Sequence, residues 1–484
     1  MVKKHSFILA LLFPLLAYTQ TAIDLVLESY KKDKDLAHAN YSFCIIEASS
    51  GKIIKEYQSE LAMIPASTLK IVTTSAALGI LSKNFTYKTN FYVTEKPDSV
   101  TGICKGNLYV QGNGDPSFNS SYFYHDDSLF YSPLIKSIQK KGIKRIDGPV
   151  TVDASYLDNS IPDTWIWGDI GNYFGAGANG LSYKDNKFSL FYTSGETNSI
   201  AKLESIKPDY FSKNMIFQST VKSAGTDDNA FVYGDPNGYN RVVSGTIPAN
   251  KKNYEVEAQM PEPPLFFAYE LQQELKKYGI AKNDSKETRL AYSTKSTKQD
   301  YQLVHTHVSP KLEKIVFYTN TKSNNHYAES LLKTVGAYKS GKQGTTDNGI
   351  DAVETYWQTR GVDVSGLHMV DGSGLSRANT VTTKLQTTVL SKIYRDNSMY
   401  TAFNASLPIA GKNGSMTNLC KGTFAENNLR AKTGYINRAR GYCGYVKTKS
   451  GKELAFSVLF NNYDCSPTEA KLKIEKLLVA LVEL

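Results

Sequence analysis

Within PASTLK, residues 65–70, a hydroxyl at Ser67 and an amine at Lys70 stand three positions apart, so on a helix they share one face. Serine is a weak nucleophile at neutral pH and needs a base within hydrogen-bond reach. A lysine serves as that base only when its proton affinity falls steeply, which burial and a second cation can bring about. Ser-x-x-Lys alone carries little information, because it also begins at Ser29, Ser49, Ser137, Ser199, Ser219 and Ser330, where a solvated helix or turn explains it. Ser67 differs in its setting. Small residues precede it and the apolar run LKIVTTSAALGIL follows, so it would sit beside the positive end of a helix dipole with its own N–H available to an oxyanion.

The required second cation is supplied by AKTGY, residues 431–435, which occurs once and directly precedes the strand-like RARGYCGYV. A strand carrying Lys432 inward, with Thr433 as a donor and Gly434 allowing close substrate approach, would form one wall of a cleft. A further hydroxyl and amide come from Ser323 and Asn325 in TKSNNHYAESLLK, just ahead of a helix pattern. Ser-x-Asn recurs at Ser82, Ser117 and Ser212, so this spacing too is weak by itself.

These residues need elements to hold them. YSFCIIEASSGKIIKEY alternates and turns at Ser49-Ser50-Gly51, which predicts a hairpin ahead of the Ser67 helix. From about Thr86 the chain changes to short alternating runs between Gly, Asn, Asp and Pro clusters, a β-rich texture. Helix returns in PLFFAYELQQELKKYG, with Gly279 as the C-terminal cap, and in NNHYAESLLKTVGAY. Near the end, two strands joined at Lys449 to Gly451 precede a helix with a Ser466/Glu469 capping box and Pro467 at its first position. That last helix is apolar, but Lys471, Lys473, Glu475 and Lys476 favour packing on a sheet over a membrane. The expected fold class is α/β and multidomain: both chain ends build one unit, with β-rich material inserted between them.

The bulk numbers agree. At 484 residues the chain exceeds one compact core, since domains average ~150 residues, and 41% apolar content indicates a folded protein. The net charge of +10 mildly favours anionic partners, but no basic tract or glycine-aromatic motif points to nucleic acid. MVKKHSFILALLFPLLAYTQT reads as a secretory signal: a basic start, an apolar run from Phe7 to Ala17 and small or polar residues after it. The run is broken by Pro14 and falls short of the ~20 residues a spanning helix needs, so no integral membrane segment is expected after cleavage between Thr19 and Ala22. Five scattered cysteines without a CxxC pair speak against a zinc or redox site, and no disulfide pairing follows from them. His305 and His307 alternate in a strand or loop and read as structural rather than metal-binding. No metal and no cofactor is implied.

The order Ser-x-x-Lys, Ser-x-Asn, Lys-Thr-Gly is the motif set of serine penicillin-recognising enzymes. PASTLKIVTT, TKSNNHYAESLLKTVG, DGSGLSRAN (371–379) and LRAKTG resemble the D-Ala-D-Ala carboxypeptidase/endopeptidase branch of the low-molecular-mass class C penicillin-binding proteins. GNGDPSF (112–118), IDGPVTVDASYLD (146–158) and WIWGDIGNYFGAGANGLSYKDN (165–186) extend the resemblance over nearly the whole chain from about Leu25. It implies a transpeptidase/β-lactamase-like catalytic domain, an antiparallel sheet flanked by helices, with two β-rich domains inserted between the first and second motifs. The expected limits are 1–21 for the signal, 22–85 and 280–484 for the catalytic domain, 86–180 and 240–279 for the first insertion, and 181–239 for the nested one. By resemblance Ser67 forms an acyl-enzyme, Lys70 is its base, Ser323 relays the proton and Asn325 holds the substrate amide. Lys432 attracts the substrate carboxylate and helps depress Lys70, while the N–H groups of Ser67 and Tyr435 form an oxyanion hole. Asp169 and Phe174 match a pair that contacts the free amino end of the peptidoglycan stem, with Arg377 and Asn437 as weaker companions. Two positions depart from the family pattern. Asn324 stands where Asp is usual, with little effect expected, and Tyr435 replaces the Ser or Thr after Lys-Thr-Gly and brings a bulky ring to the cleft edge.

The leading expectation is therefore an exported, periplasmic or wall-associated enzyme that cleaves D-Ala-D-Ala ends and D,D cross-links of peptidoglycan and is acylated by β-lactams. A β-lactamase would need an added base for fast deacylation, and none is identifiable. A non-catalytic wall-binding or β-lactam-sensing protein is disfavoured by the joint presence of Ser67, Lys70, Ser323, Asn325 and Lys432.

Overall fold

The structure, a computed structural model, describes residues 21–282, 289–291 and 301–484. The expected leader, apart from its last residue, lies outside the described residues. Five antiparallel strands form the central sheet, in the order Arg430–Ile436, Ala439–Lys447, Glu453–Asn461, Asn40–Glu47, Ile53–Tyr57. The two chain ends meet in it, since Asn40–Glu47 pairs with Glu453–Asn461 along its whole length. Its inner strands are buried on both faces because helices cover each side. Strand alternation divides the core accordingly: Tyr41, Phe43 and Ile45 join Ala22–Lys31 and Pro467–Ala480, while Cys44 and Ile46 face the helices around Lys70–Leu81. The terminal helix shows the expected Ser466/Glu469 capping box and packs on the sheet. Among the described residues no helix is long and apolar enough to cross a membrane.

The inserted material is β-rich, as its texture predicts. One sheet runs Arg289–Ala291, Val150–Asp153, Leu108–Gln111, Lys88–Val93, Gln302–Val308. A second places Lys187–Thr193 between Tyr254–Gln259 and Lys202–Lys207, and a third gathers Ile216–Ser219, Lys222–Ser223 and Asn229–Tyr233 around Asn240–Ile247. These pairings cross the expected limits. Gln302–Val308, beyond the expected limit of 279, pairs with Lys88–Val93, while Asn240–Ile247 and Tyr254–Gln259 pair with Ile216–Ser219 and Lys187–Thr193, respectively. Hydrogen bonding between distant strands decides membership, and composition along the chain does not record it. We propose about 88–308 for the whole insertion and about 187–259 for its nested part.

All five cysteines are free. His305 and His307 lie on Gln302–Val308, where Ser137 Oγ and Tyr124 Oη hydrogen-bond them at 3.0 and 3.3 Å. Among the described residues no group of three or more His, Cys, Asp or Glu that could hold a metal occurs.

Candidate active site

The nucleophile region begins with a 3-10 turn, Ala66–Leu69, that leads into the helix Lys70–Leu81. The helix is buried along nearly its whole length, so its small hydroxyls bond inward: Thr74 Oγ1 to Lys70 O at 2.6 Å and Thr73 Oγ1 to Gly372 O at 2.7 Å. Ala66, just before the serine, adopts a left-handed φ of 47°. Ser67 lies in the first turn, where backbone N–H groups have no acceptor within the helix.

Lys70 is wholly buried, and its Nζ contacts three oxygens: Ser67 Oγ at 2.9 Å, Asn325 Oδ1 at 2.6 Å and Ser373 O at 2.7 Å. Burial lowers its pKa to about 7, against the raising influence of Asp371 and then Glu329. Lys432, equally buried, is lowered well below its ordinary value by burial and then by Lys70. Burial is the largest influence on both amines, and their mutual repulsion disfavours both being charged at once.

Ser323 sits in a left-handed turn with φ 57°. Its Oγ accepts from Lys432 Nζ at 2.9 Å, and the same amine donates to Thr433 O at 2.7 Å. Asn324 caps the helix Asn325–Ser340 by accepting from Tyr327 N at 3.0 Å, a task Asp performs equally well, which accounts for the departure from the family pattern. Asn325 is oriented at both ends, its Oδ1 by Lys70 and its Nδ2 by Phe174 O at 2.7 Å.

The strand Arg430–Ile436 is the free edge of the central sheet. Ala431 N leaves the sheet to donate to Pro408 O at 3.0 Å, and the two-residue period turns the N–H groups of Thr433 and Tyr435 to the same outer edge. Tyr435 carries the Arg440 guanidinium 4.7 Å from its ring centroid, which holds the bulky ring at the rim. Gly434 admits a close approach within the protein itself. A Cβ there would lie 2.6 Å from Pro65 O and 3.0 Å from Thr68 N, so the glycine lets the strand touch the nucleophile turn. Thr433 Oγ1 donates to Ser415 Oγ at 2.7 Å.

Ser67, Ser323, Asn325, Asp169, Phe174, Arg377, Tyr435 and Asn437 all line one cleft of about 690 Å³, with Lys70 and Lys432 beneath its floor. Partial burial raises the Asp169 carboxyl, and Arg377 Nη1 donates to Asn437 O. Sequence reasoning missed the carbonyls of Ser373 and Phe174, which have no side-chain signature, and the carboxylates behind them. Asp371 accepts from Gly374 N, Ser376 N, Asn379 Nδ2 and Trp165 Nε1 at 2.7–2.9 Å, and Glu329 accepts from Gly372 N at 3.0 Å. The DGSG motif and a glutamate one turn after Asn325 were the available signals.

The helix-flanked antiparallel sheet, with a serine and two buried lysines at its edge, defines the transpeptidase/β-lactamase-like class. Within it the chain belongs to the D-Ala-D-Ala carboxypeptidase 3 (S13) family, which it matches over residues 24–483, and it is a serine-type hydrolase. It is 27% identical over 455 residues to the D-alanyl-D-alanine carboxypeptidase of Actinomadura sp. (strain R39), covering 91% of this chain and 80% of that one. It is 26% identical over 447 residues to D-alanyl-D-alanine carboxypeptidase DacB of Haemophilus influenzae, covering 90% and 88%. In fold it is similar to the crystal structure of penicillin binding protein 4 (dacB) from Haemophilus influenzae, with a TM-score of 0.79 at 24% identity over 94% of this chain and 98% of that one.

Proposed function

We propose that the chain releases D-alanine from D-Ala-D-Ala stem ends and splits D,D cross-links of peptidoglycan through an acyl-enzyme on Ser67, and that β-lactams acylate the same oxygen. The observation that carries this reading is the set of partners around Lys70 Nζ. A neutral amine has two hydrogens and one lone pair. Asn325 Oδ1 and Ser373 O can only accept, so they take the two hydrogens, and the lone pair is left for Ser67 Oγ, the one partner able to donate. Lys70 is thereby poised as a general base.

Ser67 Oγ attacks the carbonyl of the penultimate D-alanine while its proton passes to Lys70. The N–H groups of Ser67 and Tyr435 hold the oxyanion, each worth roughly 3 kcal/mol of barrier in comparable acyl-transfer sites. Ser323, bonded to Lys432, relays a proton to the leaving amine as the C–N bond breaks. Water then repeats the attack on the ester, frees the shortened peptide and restores Ser67. Substrate carboxylate at the Lys432–Thr433 end supplies a counter-charge that favours the charged form of the buried Lys432 amine. Asp169 accepts the free ammonium of the stem, Phe174 packs on its methylenes, and Arg377 and Asn437 border them. Activity on peptidoglycan accords with the secretory leader expected from the sequence and with work outside the cytoplasm, in the periplasm or at the wall. The test is mass spectrometry of defined muropeptides incubated with wild type and Ser67→Ala. Released D-alanine and split cross-links should require Ser67, and equal release by both proteins would overturn the mechanism. A persistent penicillin adduct on Ser67 separates this peptidase from a β-lactamase, which would turn the drug over.

A further inference from the structure

The cleft continues past the catalytic residues into an arm built by the nested insertion. The loop bearing Asp169 joins the two parts: on one side Phe174 O holds Asn325, and on the other Asn172 Oδ1 accepts from Val232 N at 2.9 Å while Gly171 O accepts from Gln259 N at 2.9 Å. A Cβ on Gly171 would lie 2.2 Å from Val232 O, so the loop rests directly on strand Asn229–Tyr233. Alternation along that strand buries Val232 and turns Phe231 and Tyr233 into the cleft. Tyr173 from the loop faces the same space and is 50% exposed, Phe231 is 38% exposed, and Trp167 beside the mouth is 59% exposed. A cluster of uncovered aromatic rings continuous with a substrate cleft marks a binding surface.

Within the arm the lysine is paired and the aspartate is held by neutral donors. Lys187 is ion-paired with Glu257, and the Asp185 oxygens accept from Tyr327 Oη at 3.0 Å and Ser121 N at 3.3 Å. Exposed aromatic faces suit a ligand with C–H faces, hydroxyls and amides, and Asp185, whose partners are all neutral donors, disfavours a carboxylate-bearing one. We propose that this arm binds the amino-sugar glycan strand that carries the stem peptide, with sugar rings lying on Phe231 and Tyr233. The inference rests on the peptidoglycan reading of the catalytic end and extends it.

The test compares one stem pentapeptide, free and carried on a tetrasaccharide of alternating N-acetylglucosamine and N-acetylmuramic acid, by kcat/KM for D-alanine release. Wild type should prefer the glycan-borne form about tenfold, the scale of one or two aromatic contacts. Phe231→Ala should lose most of that preference while turning over the free pentapeptide as wild type does, and Phe231→Tyr should keep it. Unchanged penicillin acylation reports an intact fold. Equal turnover of both substrates by wild type, or a preference that survives in Phe231→Ala, overturns the glycan site. Failure of wild type on both substrates overturns the catalytic reading instead.

Discussion

Acylation of Ser67 by penicillin as a function of pH reads the proton on Lys70. A lysine at its ordinary value of 10.5 would be neutral in about one molecule in three thousand at pH 7. Lowered by burial to about 7, roughly half the molecules carry the free base. The population of competent enzyme rises by about three orders of magnitude, equivalent to ~4 kcal/mol, before any other catalytic effect enters. Only the deprotonated form can accept the Ser67 proton, so the second-order acylation rate must climb with pH. From about pH 5.5 to 7 it should increase about fifteenfold, and from about 7 to 8.5 only about twofold. Intact-protein mass spectrometry at timed quenches gives the rate at each pH. Lys70→Arg keeps a cation in place and removes the base, so it should be slower by about a thousandfold or more. A profile flat across this range, or Lys70→Arg within about tenfold of wild type, would refute the assignment of Lys70 as base.

Three further outcomes follow from the same contacts. Gly434→Ala drives a methyl against Pro65 O and Thr68 N, so penicillin acylation should fall by more than tenfold with a thermal-unfolding loss of about 1–3 kcal/mol, and unchanged acylation would deny that strand contact its role. Asn324→Asp should acylate within about threefold of wild type, whereas Asn324→Ala should lose about 1 kcal/mol in denaturant unfolding, because only the former keeps the cap. His326, lowered to about 3 by burial, stays neutral in the native state while the unfolded chain takes up a proton below about 6.5. The unfolded state therefore binds more protons, and stability falls as pH drops through that window, by on the order of 3 kcal/mol at about pH 4.5. Urea unfolding at about pH 6.5 and 4.5 should show a less favourable change in wild type than in His326→Asn, because His307, lowered to about 4, and the raised carboxyls of Glu329 and Asp115 act in both proteins alike.

Local signals carried far in this sequence. The hairpin around Ser49-Ser50-Gly51, the Ser466/Glu469 box and Gly279 past its helix each follow from nearest neighbours, and each is present. Two helices not expected from the sequence carry conflicting signals. Asp127–Lys140 contains Pro133, and Thr383–Tyr394 is rich in β-branched residues, so burial against the sheet rather than propensity holds the latter in place. Insertion limits are hard to read from the chain for a related reason, because pairing between strands as distant as Lys88–Val93 and Gln302–Val308 leaves no mark on either stretch alone.

The site shows the same division more sharply. Residue type disclosed which groups could react, but not what makes them do so. The proton on Lys70 is placed by two carbonyl oxygens, one on the Asn325 side chain and one on the Ser373 backbone, and only the first has an identity in the sequence. The segment 323–325 must serve three directions within three residues: Ser323 toward Lys432, Asn324 into the helix cap and Asn325 toward Lys70. Successive residues of a regular helix could not divide their side chains this way, and the left-handed φ of Ser323 makes the division possible. Ala66 adopts the same strained region immediately before Ser67, where Gly374 crosses so closely that a Cβ would lie 1.9 Å from its carbonyl oxygen. Each such conformation costs about 1–2 kcal/mol for a residue with a side chain. At Ala66 the strained turn lies against the close glycine contacts of Gly374, on Ala66 O, and Gly434, on Pro65 O and Thr68 N. The two glycines therefore matter to the chemistry through the backbone they admit, although neither presents a group to the substrate.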